Sequence, residues 1–328
     1  MKNILGIGNA LVDVITVVPD ETFLSRFGLP KGSMTMVDAS RSGEIKQTIS
    51  GMNRTLASGG SAGNTIYGLG VMGINSSFIG KVGRDEMGNF YEKDMVDAGI
   101  KPVLIRTPAS PTGTAVALVT PDSERTFATH LGAATELMAG ELRPDYFRGY
   151  HILYLEGYLI FNLPLVEQAC RLAKENHMCV ALDLASFNVV NDMLPSFQKI
   201  VEQYVDILFA NEEEARAFTG LPPVEALDEI SRITLISVVK TGADGSWIKR
   251  GDEVIKIDAL KVNAVDTTGA GDLYAAGFLY GFAHGFSLDK CGIFGSILAG
   301  KVIENVGARM PEEKWAEAKA LIAEVAED

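Results

Sequence analysis

Apolar and polar positions follow two different periods along the second half of the chain. Short apolar runs, typical of buried strands, alternate with segments that have the spacing of helices. The strand-like runs lie at residues 151–155, 178–184, 206–210 and 234–240, and the helical segments at 163–176 and 190–203. Such alternation predicts a parallel sheet with helices on both faces and with site residues at the carboxyl ends of the strands. We therefore expect an α/β fold with a doubly wound, mostly parallel sheet flanked by helices.

The first half of the chain has a different pattern. Residues 3–8 have the composition of a buried strand, whereas four later segments alternate or are rich in β-branched residues. These segments are 14–18, 33–37, 112–120 and 125–130, the last two joined at Pro121-Asp122-Ser123. They predict a small antiparallel sheet set apart from the main one. A small sheet beside a larger one can exclude water from a site between them, so we expect it to act as a lid.

A glycine-rich stretch, Val-Asp-Thr-Thr-Gly-Ala-Gly-Asp at residues 265–272, precedes the apolar run at 273–280. Glycines forfeit packing and cost backbone entropy, so their presence indicates that the bare backbone is needed where a loop becomes a helix. A helix start with exposed N–H groups binds anions. Asp272 either caps this helix or acts as a general base beside the anion site, and the stretch by itself leaves both interpretations open.

Two motifs resemble the signatures of the ribokinase-like (PfkB) family of carbohydrate and nucleoside kinases. The stretch at 266–272 resembles the C-terminal signature, and Ser-Gly-Gly-Ser-Ala-Gly-Asn at 58–64, followed by residues 80–88, resembles the N-terminal one. The resemblance implies a single PfkB kinase domain over residues 1–328, with lid segments at about 14–40 and 103–131 inserted in the α/β core. It also implies that Asp272 is the catalytic base and that amides of Gly269, Ala270 and Gly271 form an anion hole.

The opening Gly-Asn-Ala-Leu-Val-Asp at residues 8–13 resembles adenosine-kinase-like members of the family. That resemblance implies that Asp13 holds ribose hydroxyls and that Gly59, Gly60 and Asn64 line the acceptor site. From the residues alone, a carboxylate in a solvated turn is the alternative interpretation of Asp13. A dinucleotide-binding fingerprint is excluded, because its third glycine would fall on Leu11.

Four residues match positions of the nucleotide site in the family that the chain resembles. Asn211 and Glu214 have the Asn-x-x-Glu spacing, whose Glu organises magnesium-bound water in relatives, and the same spacing predicts a capping box. Thr241 and Gly242 match a turn beside the nucleotide, although an ordinary glycine turn explains them as well. The resemblance thus implies ATP and Mg²⁺ as cofactors.

A monovalent cation is a further expectation from the resemblance. Its predicted ligands are Asp266, Thr268, Asn305 and Gly307, and the predicted ion is K⁺. The P-loop spacing at residues 295–301 is rejected, because position 302 is Val where a P-loop needs Ser or Thr. Residues 183–188 lack the Arg that many sugar-kinase branches carry there, which leaves open what neutralises the transferring phosphate.

Composition limits the class of partner and the compartment. With 328 residues, 47% of them hydrophobic, the chain is long enough for one large α/β domain with an appendage or for two domains. A net charge of −13 argues against general nucleic-acid and anionic-membrane affinity, so we expect a small-molecule ligand. As a separate expectation, the protein is a monomer or homodimer. Three cysteines, an odd number in apolar settings, predict reduced thiols and a cytoplasmic protein. Asn9 and Asp13 interrupt the apolar start of the chain, which disfavours a signal peptide.

The favoured function is ATP-dependent phosphorylation of the primary hydroxyl of a nucleoside, most of all adenosine. Ser61 stands where ribokinase typically has Lys, and Tyr158, Leu159 and Phe161, with Met34 and Met36, could form an apolar slot for a base. Ordinary packing explains the same five residues equally well. The alternative is a ribokinase- or fructokinase-like sugar kinase. A non-catalytic sensor is disfavoured, because the charge of Asp272 would oppose phosphate binding.

Overall fold

A computed structural model of the chain describes residues 1–122 and 124–327. Its strands are β1 (Ile4–Ile7), β2 (Leu11–Val17), β3 (Met34–Met36), β4 (Arg54–Gly59), β5 (Ser76–Gly83), β6 (Lys101–Thr107), β7 (Gly113–Val119), β8 (Arg125–His130), β9 (Ile152–Glu156), β10 (Cys179–Asp183), β11 (Ile207–Asn211), β12 (Ile236–Lys240), β13 (Ser246–Arg250) and β14 (Glu253–Ile257). Its helices are α1 (Thr22–Arg26), α2 (Ala39–Thr48), α3 (Ser61–Val71), α4 (Glu86–Asp97), α5 (Leu163–Glu175), α6 (Phe187–Tyr204), α7 (Glu212–Thr219), α8 (Pro223–Ile230), α9 (Ala270–His284), α10 (Leu288–Val302) and α11 (Glu312–Glu327).

In this described part of the chain, nine strands form a large sheet in the order β14-β13-β12-β11-β10-β9-β1-β5-β6. The strands from β12 to β6 are parallel, and β13 and β14 are antiparallel additions at one edge. Side chains of β11 alternate between two buried clusters, with Phe209 in the cluster that includes α9 and Leu208 in the one that includes α5. A strand buried on both faces needs apolar residues throughout. The predicted α/β fold is confirmed.

Five strands form the small sheet, in the order β3-β8-β7-β2-β4. Its pairings are mixed: β2 with β7 and β3 with β8 are parallel, and β7 with β8 and β2 with β4 are antiparallel. The prediction of an antiparallel sheet was therefore wrong. Only β7 and β8 are joined closely enough to form a hairpin, whereas the other strands come from distant segments and can pair in either direction. Ser123, in the predicted turn between β7 and β8, lies outside the described residues.

The small sheet overlaps the predicted lid segments without matching them. Strand β4 belongs to it although it lies outside both segments, and residues 103–107 belong instead to β6, at the edge of the large sheet. The function of the small sheet as a lid stays a prediction.

Helices α3 and α9 pack closely where their side chains are small. A Cβ added to Gly68 of α3 would lie 3.0 Å from the Cβ of Ala276 of α9. The close approach allows polar groups near the two helix starts to contact each other. Among the described residues, no helix is long and apolar enough to span a membrane. All three cysteines are free thiols, as predicted, with Cys170 and Cys291 buried.

Candidate active site

The carboxylate of Asp272 lies between the first turns of α3 and α9. One oxygen, Oδ1, accepts a hydrogen bond from Ser61 Oγ (2.7 Å), and Oδ2 accepts one from Asn64 Nδ2 (2.9 Å). Residue Gly269 is the N-cap of α9, and no side chain caps this helix start. The capping interpretation of Asp272 was therefore wrong: the carboxylate is oriented by the neighbouring helix and not by its own.

Electrostatics place Asp272 in the range of a useful base. Its pKa is raised to about 6, mainly by burial and to a smaller extent by the nearby Asp183 carboxylate, while the hydrogen bonds from Asn64 and Ser61 limit the rise. A general base is most effective when its pKa is near the working pH. The carboxylate is thus ionised at neutral pH and remains basic enough to accept a proton.

The start of α9 has the properties of an anion site. Gly269 has φ +79°, and a Cβ on it would lie 2.7 Å from the Cβ of Ala308, so only glycine fits. The amide of Ala270 makes a long bond to Thr267 O (3.2 Å), whereas the amide of Gly271 has no backbone acceptor within the described ranges. Available N–H groups at a helix start bind phosphate oxygens.

Asp13 of β2 is paired with Ala57 of β4, and its carboxylate lies against Gly59. A Cβ on Gly59 would lie 2.5 Å from the Asp13 carboxylate, which explains the glycine. Burial raises the pKa of Asp13 to about 6, although the Arg309 guanidinium lowers it. Asp13 is thus a partly buried strand residue, and the solvated-turn interpretation was wrong.

Gly60 and Asn64 complete the predicted acceptor side. Gly60 has φ +85°, and a Cβ there would lie 2.1 Å from Asn9 O. Asn64 is buried, and its Oδ1 has no hydrogen-bond partner among the described residues. Because its Nδ2 is bonded to Asp272, the free oxygen can accept a bond from a hydroxyl held near that carboxylate.

The predicted capping box at the start of α7 is confirmed. Asn211 Oδ1 accepts from Glu214 N (2.8 Å), and the Glu214 carboxylate accepts from the backbone and side-chain amides of Asn211 (2.8 and 2.7 Å). Burial raises the pKa of Glu214 to about 7. Its role towards Mg²⁺ stays a prediction. Within residues 1–122 and 124–327, no group of three His, Cys, Asp or Glu side chains could hold a metal.

Thr241 and Gly242 form the turn after β12. Thr241 is buried, and its Oγ1 has no partner in the described part of the chain, whereas Gly242 is exposed. This arrangement is compatible with the nucleotide role and with an ordinary turn, so the role stays a prediction.

Three of the four residues expected to bind K⁺ lie together. Asp266 Oδ1 accepts from the amide and hydroxyl of Thr268 (3.1 and 2.8 Å), and Oδ2 accepts from Gly307 N (2.7 Å) and from the Arg125 guanidinium. The side-chain amide of Asn305 donates to Lys301 O (3.1 Å), and the backbone carbonyl of Asn305 stays a predicted ligand. The carboxylate of Asp266 is thus already neutralised by an arginine from the small sheet, and it is not open as a ligand.

Comparison with known proteins decides the family. Residues 31–315 match the family model described as pfkB family carbohydrate kinase. The chain belongs to the PfkB family of carbohydrate kinases. An adenosine kinase structure from Sinorhizobium meliloti is 34% identical, with a TM-score of 0.86 and coverage of 98% of this chain and 99% of that one. A probable sugar kinase structure from Rhizobium etli is 32% identical, with a TM-score of 0.87 and 99% coverage of both chains. An uncharacterized sugar kinase from Archaeoglobus fulgidus is 30% identical over 74% of this chain and 96% of its own length.

This PfkB kinase is therefore a phosphotransferase with an alcohol acceptor, and it acts on a small-molecule sugar or nucleoside. Its family uses ATP, usually with Mg²⁺.

Several polar residues of the kinase site were not identified from the sequence. Glu156, 1% exposed at the end of β9, accepts from Asn9 N (3.0 Å), Asn9 Nδ2 (2.5 Å) and Ala62 N (2.8 Å), and burial raises its pKa to about 7. Asp183 ends β10 and accepts from Lys240, at the end of β12 (2.7 Å). Their common signal was position: each is a polar residue at the carboxyl end of an apolar strand of the parallel sheet.

The five residues of the predicted base slot divide between the core and the surface of the kinase. Leu159 is 5% exposed and belongs to the core, so ordinary packing explains it. Tyr158 and Phe161 are 37% and 61% exposed, and Met34 and Met36 are also exposed. These four side chains remain available to a ligand.

Proposed function

We propose that this PfkB kinase phosphorylates the primary hydroxyl of a nucleoside and prefers adenosine to free ribose. The observation that carries the proposal is the position of Asp272, oriented by Ser61 and Asn64 and adjacent to the anion site at the start of α9. Ser61 supports the nucleoside assignment, because ribokinase-like relatives typically have Lys there. The 34% identity to an adenosine kinase supports it as well.

The residues have separate roles in the proposed reaction. Asp272 accepts the proton of the acceptor hydroxyl as that oxygen attacks the γ-phosphorus of ATP, and ADP leaves. The Asn64 and Ser61 bonds keep the carboxylate in position, and Asp13 with Asn64 Oδ1 binds hydroxyls of the sugar. Amides at Gly269 to Gly271 stabilise the charge that develops on the transferring group.

Mg²⁺ fits this site through phosphate oxygens and water rather than through a cluster of carboxylates. It would supply charge neutralisation of the phosphates when bound. Both Glu214 oxygens keep a lone pair after bonding to Asn211, so the carboxylate can still orient a water.

The acceptor preference is tested by kcat/KM for adenosine, inosine, ribose and fructose with purified protein, ATP, Mg²⁺ and K⁺. Contact of a purine with Tyr158 and Phe161 would add about 1–3 kcal/mol to binding, so we expect adenosine to exceed ribose by about tenfold or more. A sugar kinase is the second candidate, supported by the 32% and 30% identities to sugar kinases. A tenfold advantage for a free sugar would leave the kinase assignment intact and reject the nucleoside.

The pH dependence should report the base. Only ionised Asp272 can accept the proton, so kcat/KM should fall about tenfold per pH unit below a pKa of about 6. Asp13 has a pKa in the same range, so the wild-type profile alone does not identify the group. In Ser61→Ala the carboxylate loses a bond that favours its charged form. Its pKa should rise, and the acid limb should move to higher pH.

Thr65→Val is the matched control for the pH profile, because Thr65 Oγ1 donates to the backbone oxygen of Asp272 and not to its carboxylate (3.0 Å). The acid limb of Thr65→Val should stay at the wild-type position. If the acid limb of the kcat/KM profile stays at the same pH in Ser61→Ala, the group that titrates is another residue.

We also propose K⁺ as an activating cation. Because Arg125 and Gly307 N occupy the Asp266 carboxylate, K⁺ fits only through backbone carbonyl oxygens of the loop at 305–308. The expected result is a higher rate in K⁺ than in Na⁺ or tetramethylammonium at equal ionic strength. Equal rates in all three salts would reject the proposed monovalent-cation site.

A further inference from the structure

Residues 183–188 lack the arginine that many sugar-kinase relatives carry after the middle strand, and Lys240 lies against the first residue of that stretch. Lys240 ends β12, two strands from β10, and its Nζ donates to Asp183 Oδ2 at 2.7 Å. The two side chains are 14% and 6% exposed. A Cβ built on Gly271 would lie 3.1 Å from Lys240 Nζ, so the ammonium group lies against the first turn of α9.

The surroundings keep this ammonium charged. Burial lowers the pKa of Lys240, but Asp183, Glu214 and, to a smaller extent, Asp272 raise it, and the net shift is upward. A lysine ammonium has three N–H donors, and Asp183 is its one hydrogen-bond acceptor among the described residues. Two N–H groups are therefore available to a ligand at the start of α9.

The balance of charge changes when a phosphate enters the site. Asp183, Glu214 and Asp272 already lie around one lysine, so an added phosphate places further negative charge beside carboxylates, and a nearby cation would help the amides of α9 and Mg²⁺ to offset it. Lys240 is the ammonium that contacts both the carboxylate cluster and the anion site.

We propose that Lys240 binds the γ-phosphoryl group of ATP during transfer and supplies the positive charge of the missing arginine, while Asp183 holds it in place when no nucleotide is bound. The proposal rests on the proposed function and adds a catalytic residue to it. The alternative is a structural role, in which the Lys240–Asp183 pair only joins the ends of β10 and β12.

The test compares ATP and ADP affinities, measured by calorimetry with Mg²⁺ and without acceptor, together with steady-state rates. In Lys240→Met we expect the ratio of ATP to ADP affinity to fall about tenfold or more while ADP affinity is kept. The expected loss in kcat is about 10²–10³-fold, as for loss of one group that stabilises transition-state charge, with acceptor KM within about twofold.

Lys174→Met is the matched control. Lys174 Nζ forms a more exposed ion pair with Asp206 Oδ2 (2.5 Å) at the opposite end of the sheet, so this variant removes the same charge and an ion pair far from α9. Its affinity ratio and kcat should equal those of the wild type. Lys240→Gln removes the charge but retains an N–H donor for Asp183, so it is the variant less prone to misfold. Its ratio of ATP to ADP affinity should fall as much as that of Lys240→Met.

An unchanged ATP-to-ADP ratio in Lys240→Gln, or an equal loss of ATP and ADP affinity, would overturn the assignment and leave the structural role. Failure of the proposed function looks different, because the wild type would then prefer a free sugar to adenosine or phosphorylate neither. The affinity ratio, measured without acceptor, would still test Lys240.

Discussion

Replacing Asp272 with Asn is expected to lower kcat by about 10²–10⁴-fold, the range of general-base catalysis, while ATP affinity is kept or increases. The amide oxygen of Asn can still accept the bond from Asn64, and its NH₂ group can donate to the Ser61 hydroxyl, so the local structure should persist. The amide cannot accept the hydroxyl proton. Loss of a negative charge beside the anion site should strengthen binding of the ATP phosphates. The measurement is kcat with saturating acceptor, together with ATP affinity by calorimetry.

The control for this variant is Asp289→Asn. Asp289 lies in the first turn of α10 as Asp272 lies in the first turn of α9, so both variants remove a favourable interaction with a helix dipole. Asp289→Asn should keep wild-type turnover. Near-normal turnover in Asp272→Asn would reject the base assignment.

The second large effect is expected at Gly60. Gly60→Ala forces a side chain onto a residue with φ +85° and ψ 142°, and the new Cβ would lie 2.1 Å from Asn9 O. We expect the free energy of unfolding to fall by about 2–5 kcal/mol from strain and overpacking. The start of α3 must shift, which misplaces Ser61 and Asn64 relative to Asp272, so kcat/KM should fall about 10²-fold.

Gly73→Ala separates the two causes. Gly73 has a similar φ of +87°, but a Cβ there would have nothing within 4 Å. This control should lose only the about 1–2 kcal/mol of a left-handed residue and keep its activity. The measurements are denaturant unfolding and steady-state kinetics. Equal destabilisation and equal activity in the two variants would show that the contact with Asn9 has no special role.

Sequence patterns predicted the parts of the fold that depend on local order. The runs that became β9 to β12 were identified to within about two residues, because an apolar run between helical segments has few other solutions. The mixed pairing of the small sheet could not be predicted, since β2 and β7 are about a hundred residues apart and either direction satisfies their hydrogen bonds.

The same limit applies to the site. The family signature singled out Asp272 and the glycines before it, because these residues stand in one continuous motif at a helix start, whereas the contacts of Asp272 with Ser61 and Asn64 come from a distant segment. The partners of charged side chains depend on which strand ends become neighbours. Nothing in the local sequence links Lys240 with Asp183 or Arg125 with Asp266, and both pairs bring opposite charges together over long sequence separations.

The most direct test of the account is a competition between adenosine and ribose in one reaction. Equimolar adenosine and ribose are incubated with the purified kinase, ATP, Mg²⁺ and K⁺, and the phosphorylated products are quantified by ³¹P NMR. Adenosine 5′-monophosphate should accumulate about tenfold or more faster than ribose 5-phosphate, because only adenosine adds the contacts of a buried base. Ribose 5-phosphate as the major product would reject the preference for adenosine, and phosphorylation of neither compound would reject both proposed acceptors.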